Sequence, residues 1–113
     1  MESRELTGRE RAVLAALLAV DFDGAAALRK QAAGARVVAG CACGCPSIEF
    51  EAGRGFGMNP KVNGFPYEGH TSLFLYTIVD ADGGELLGGI EWAGIDEEPR
   101  ELPPPETFAV EAA

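Results

Sequence analysis

At Gly34 the spacing of apolar residues changes from a helical period to a strict alternation, and that switch restricts the chain to helices first and sheet afterwards. Upstream, "LTGRERAVLAALLAVD" sets Thr7 three residues before Glu10. This is the capping-box spacing, in which each side chain satisfies a backbone N–H left over at a helix start. Val13, Leu14, Leu17 and Leu18 then share one stripe. "DGAAALRKQAAG" predicts a shorter second helix, with Asp23 as its N-cap, Leu28 and alanines on the inner face, and Gly34 as a left-handed stop. Joined near Phe22, the two form a helical hairpin over residues 1–34.

Downstream, Val37 and Ala39, then Ile48 and Phe50, alternate with more polar neighbours as half-buried strands do. "TSLFLYTIVD" and "ELLGGIEWAGI" predict a second, greasier hairpin with Ala81, Asp82 and Gly83 at its tip. Its expected register sets Phe74 opposite Ile90, Leu75 opposite Gly89 and Tyr76 opposite Gly88. The Tyr76 ring is then placed to cover the bare glycine backbone, the alternatives being a bulge or the close approach of a ligand. A length of 113 residues suits one core. The expected fold class is α+β: the helical hairpin packed on a small antiparallel sheet of two β-hairpins, about four strands over 35–95, followed by an extended proline-rich tail over 96–113. Leu14, Leu17, Leu18, Leu28, Val37, Phe50, Phe74, Ile90 and Trp92 are the expected core.

All three cysteines fall within "CACGC", Cys41 to Cys45. In the first hairpin, pairing Val37 with Phe50, Ala39 with Ile48 and Arg36 with Glu51 puts a two-residue turn at Cys43 and Gly44. Cys41 then points to the core, Cys43 sits at the tip and Cys45 faces outward, so the sulfurs diverge. A zinc site using Cys41, Cys43, Cys45 and His70 is the alternative, and it requires the hairpin to dissolve into a loop. Asp80, Asp82 and Glu91 mimic the start and end of a calcium loop, but Glu85 stands where glycine is needed. "GRGFG" precedes no helix and so lacks the frame of a phosphate cradle. Cys43 or Cys45 with His70 has no third catalytic group to support it.

The net charge is −9, and it is uneven: Met1 to Arg36 carry six basic and five acidic side chains, whereas Val37 to Ala113 carry three and thirteen. Phosphate-rich nucleic acid is therefore an unsuitable partner, and a basic protein a suitable one. The longest apolar run, Ala12 to Val20, is too short for a membrane span and follows no basic leader, so a cytoplasmic protein is expected. Between the hairpins, Gly53 to His70 shows no periodicity and gathers Arg54, Phe56, Lys61 and Tyr67. This loop, with Glu49, Glu51 and Glu91, supplies the expected contact residues of a non-catalytic protein-binding module, of which an immunity-type or inhibitor role is the most specific version. No cofactor is expected outside the zinc alternative.

"ERAVLAALLAVDFDGAAALRKQAAGARV" followed by "CGCPSIEF" resembles a set of small actinobacterial proteins with a helical start, a Cys-Gly-Cys-Pro-Ser/Thr-Ile turn and a later "LPPP" or similar tail. The resemblance implies a bacterial cytoplasmic protein and carries over no activity and no functional residue.

Overall fold

Thr7 and Glu10 close the reciprocal pair that their spacing predicts, in a computed structural model that describes residues 3–40, 46–50, 55–67, 71–93 and 101–113. The Thr7 hydroxyl accepts from the Glu10 N–H at 3.1 Å and the Glu10 carboxylate accepts from the Thr7 N–H at 2.8 Å. Helix α1, Gly8–Leu18, follows directly and buries Val13, Leu14, Leu17 and Leu18. Strand β1, Arg4–Glu5, is tied to the same carboxylate by the Arg4 fork at 2.7 and 2.9 Å. Burial pushes the Glu10 carboxyl up, but Arg4 and the Thr7 N–H outweigh it and hold the group below its usual range.

Helix α2, Ala25–Ala32, starts differently from the expectation: its N-cap is Gly24, at a φ of 88°, and no Asp23 side chain caps it. Nor is Gly34 left-handed; the helix ends through a right-handed Ala33. Arg29 joins the two helices by donating to the Leu18 carbonyl at 2.7 Å and the Val20 carbonyl at 3.3 Å, at the end of α1 where carbonyls lack helical partners.

The sheet departs further from expectation. Among the described residues it has seven strands, not four: β1, β2 (Arg36–Gly40), β3 (Ile48–Phe50), β4 (Phe56–Pro66), β5 (Ser72–Val79), β6 (Glu85–Ala93) and β7 (Phe108–Ala112). Their order is β1-β2-β3-β6-β5-β4-β7, antiparallel throughout, with β3-β6-β5-β4 in a Greek-key arrangement. The fold is thus mostly antiparallel sheet carrying two short helices, which corrects the expected helical hairpin on a four-stranded sheet. The stretch from Gly53 to His70 is not a loop, because β4 occupies most of it and is one of the longest strands. Its alternation is hidden by register shifts between Phe56 and Asn59 and between Pro60 and Val62. Pro60 is tolerated because β7 pairs with β4 only from Val62 to Pro66, so its missing N–H leaves no ladder bond broken on that side.

The proline-rich tail is likewise part of the body. Leu102 is buried, and its carbonyl accepts from Arg9 at 3.0 Å. A 3-10 turn at Pro105–Thr107 then leads into β7. By contrast, the second hairpin's tip matches the expectation. Gly83 has a φ of 83°, and the Asp80 carboxylate accepts from the Asp82 and Gly84 N–H groups at 2.9 and 2.8 Å. These bonds occupy the side chain that the calcium pattern would need.

One face of the sheet meets the helices. Val37, Ile48, Phe50, Val62, Leu73, Leu75, Leu87, Ile90 and Phe108 join the leucines of α1 and α2 in a single core. Beyond the short β3, the Gln31 side-chain amide of α2 takes over as a strand partner, donating to the Glu85 carbonyl at 3.0 Å and accepting from the Leu87 N–H at 2.9 Å. Among the described residues no helix is long and apolar enough to cross a membrane.

Every expected core residue is buried except Phe74, which is half-buried on the opposite face. The cause is a bulge. Thr77 faces Leu87, but Tyr76 faces Gly89 and Leu75 faces Ile90, so Gly88 is the extra residue. Leu87 and Ile90 both reach the core in consequence, and Phe74 is displaced to stand opposite Glu91. A smaller shift between Val37 and Ala39 alters the first hairpin: Val37 faces Phe50 as expected, but Ala39 faces Glu49 and Gly40 faces Ile48. The expected turn at Cys43 and Gly44 lies outside the described residues.

A Cβ on Gly89 would collide with the Ile48 carbonyl oxygen and stand 2.6 Å from the Tyr76 hydroxyl, whereas one on Gly8 would meet nothing within 4 Å. Gly89→Ala is expected to destabilise the fold by about 2–3 kcal/mol in urea unfolding, and Gly8→Ala to change stability by less than about 0.5 kcal/mol.

Candidate functional site

The face of the sheet turned away from the helices has no helix over it among the described residues, and β3, β6 and β5 place three polar side chains there side by side. Glu49 on β3 stands opposite Gly89 on β6, and Gly89 stands opposite Tyr76 on β5. Because a glycine separates them, the gap between Glu49 and Tyr76 carries no side chain. Tyr76 lies across it. A Cβ on Gly88 would fall 2.5 Å from the Tyr76 Cε2, and one on Gly89 would fall under its hydroxyl. Glu91 is two residues along β6 from Gly89, in the diagonal position to Glu49, and Phe74 faces it with its ring 6.2 Å from that of Tyr76.

The electrostatics of this group are one-sided. Tyr76 is only 6% exposed. Burial, then the charges of Glu49 and Glu91, push its hydroxyl up to about 12, so it stays protonated at any physiological pH. Glu91 is also raised above the usual carboxylate range, first by burial and then by Glu49. Among the described residues no cation pairs with either acid, and the Tyr76 hydroxyl makes no hydrogen bond. A hollow of about 240 Å³ is lined by Glu49, Tyr76, Val38, Met58, Ile78 and Gly88, and a second of about 140 Å³ by Glu49, Glu91, Gly40, Ser47 and Ile48. Glu49 lines both.

Of the expected contact residues among the described ones, only Glu49 and Glu91 are brought together. Lys61 reaches Glu85 at 3.0 Å, and Glu85 alternates in phase with the core residue Leu87, so this pair belongs to the helix side. Tyr67 is 72% exposed at the far end of β4, in a separate hollow with Trp92, Pro66 and Pro103. Phe56 begins β4. Arg54, Glu51 and the zinc alternative's Cys41, Cys43, Cys45 and His70 lie outside the described residues. Among the described residues no three His, Cys, Asp or Glu side chains are grouped to hold a metal. The sequence pattern predicts Tyr76 as a cover for glycine and gives it no place in the site. The signal for its further part was the same Gly88–Gly89 pair, since an aromatic lying across two bare residues carries its hydroxyl to the next strand.

Comparison with family profiles, curated proteins and solved structures finds no match for this chain, so its function is argued from its own geometry.

The raised Glu91 carboxyl has a consequence for stability. Its folded pKa exceeds 4.5, so ionisation opposes folding: the penalty is absent below 4.5 and complete above the raised folded value. Glu91→Gln is therefore expected to raise the melting temperature at neutral pH. That gain should vanish in scans at about pH 4, where the carboxyl is largely protonated in both states.

Proposed function

We propose that this chain is a non-catalytic binding module whose open sheet face engages a basic segment of a protein partner, as an inhibitor or immunity protein would engage a basic target. The observation that carries this reading is the pair of uncompensated carboxylates, Glu49 and Glu91, held next to a buried tyrosine on a face that no helix covers. Two like charges kept close at the expense of a raised pKa are relieved by an incoming cation, so association gains what the free protein lacks. The wider chain supports the same partner: with a net charge of −9 it draws basic molecules from a distance, while the open face supplies the short-range contact.

The test is calorimetric titration with a peptide of alternating arginine and glycine at low salt. Binding should weaken by about tenfold or more in the Glu49→Lys/Glu91→Lys double variant. The control variant Asp82→Lys/Glu106→Lys makes the same change in net charge at the hairpin tip and the C-terminal turn, and should weaken binding by no more than about twofold. Equal losses in both variants would reduce the interaction to bulk charge and overturn the reading.

A further inference from the structure

We propose that the notch formed by Glu49, Tyr76 and Glu91 is a binding site for a single arginine side chain of that partner. The inference rests on the reading above and goes beyond it by naming the group recognised and the atoms that recognise it. Three observations point to a guanidinium.

The first is the donor and acceptor balance. Two carboxylates accept only, and the Tyr76 hydroxyl offers free lone pairs: the residue as a whole is 6% exposed, but its hydroxyl makes no hydrogen bond among the described residues and remains open to the notch. An unpaired hydroxyl beside two unpaired carboxylates is complementary to a group that carries donors alone, which describes guanidinium with its five N–H groups.

The second is spacing. Glu49 faces Gly89, whereas Glu91 lies two residues farther along β6, so the two acids stand on a diagonal of roughly 7–8 Å between backbones. A planar fork can give one edge to one carboxylate and its remaining N–H groups to the hydroxyl and the other acid. A lysine ammonium is a compact and strongly hydrated point charge, and reaches one acid at a time.

The third is the floor. Phe74, half-buried opposite Glu91, supplies ring surface beside that acid, and guanidinium stacks on aromatic faces with less loss of hydration than ammonium. The hollow of about 140 Å³ at Glu91 shares Glu49 with the one at Tyr76, which at about 240 Å³ accommodates one side-chain head. The larger hollow falls below the range of about 300–1,000 Å³ used for whole small-molecule ligands.

N-acetylarginine amide and N-acetyllysine amide, titrated separately into isotope-labelled protein and followed by backbone amide shifts, test the proposal. The arginine compound should move the amides of Glu49, Tyr76, Gly89 and Glu91 and bind about fivefold more tightly than the lysine compound. Tyr76→Phe, which keeps the ring over the glycines and so keeps the fold, should remove most of that preference. If the two compounds bind equally, or Tyr76→Phe changes nothing, the arginine notch is overturned. The alternating arginine–glycine peptide, titrated alongside, separates the two claims. Sensitivity of the peptide to Glu49→Lys/Glu91→Lys without an arginine preference sinks only the notch, whereas insensitivity sinks the binding reading with it.

Discussion

The bulge at Gly88 and Gly89 is the constraint around which the rest of the sheet is arranged. Strand β6 lies at the centre of the strand order, between β3 and β5. With strict alternation, Leu87 and Ile90 would point to opposite faces, and one of them would be lost from the core. The extra residue turns the strand so that both reach the helices. Only glycine fits here, because a side chain on either residue would meet the Tyr76 ring, and one on Gly89 would also meet the β3 backbone. The bare strip that results is what Tyr76 covers. Core packing and the Glu49–Tyr76–Glu91 group therefore share one cause.

The two sides of the sheet treat charge differently. On the helix side, Arg4 is forked onto Glu10, Arg29 is spent on carbonyls at the end of α1, Lys61 meets Glu85, and Arg9 holds the Leu102 carbonyl. Exposed pairs of this kind add little stability each. Their effect is positional, since they join β1 to α1, α1 to α2, β4 to β6, and the C-terminal segment to α1. On the open face, Glu49 and Glu91 have no such cation among the described residues. That contrast is the basis on which the open face is proposed as a surface for association.

Half of the candidate site was legible in the chain. Glu49 and Glu91 alternate with Ile48, Phe50, Ile90 and Trp92, so period-two spacing sends them outward together. Their meeting with Tyr76 was not legible. The expected register put Tyr76 over Gly88 alone, and the one-residue shift that carries its hydroxyl over Gly89 toward Glu49 depends on where the bulge falls. Lys61 shows the converse. Its charge suggested an exposed contact, but the bulge next to Pro60 leaves it on the side of Glu85.

By itself the sequence determined the features that close over a few residues: the Thr7–Glu10 cap, the Asp80–Gly84 tip with its left-handed Gly83, and the inner stripe of α1. The cap and the tip are decided by hydrogen bonds between groups a few residues apart, and the stripe by the helical period that the cap starts. Only the tertiary structure decided that β4 and β7 are strands at all. The glycines and prolines of β4 erase its alternation, β7 is only five residues long, and what makes both of them sheet is a partner: β5 on one side of β4 and β7 on the other, with β7 brought back from the far end of the chain. Strand pairing at long separation is a property of two segments together, and neither segment carries it alone.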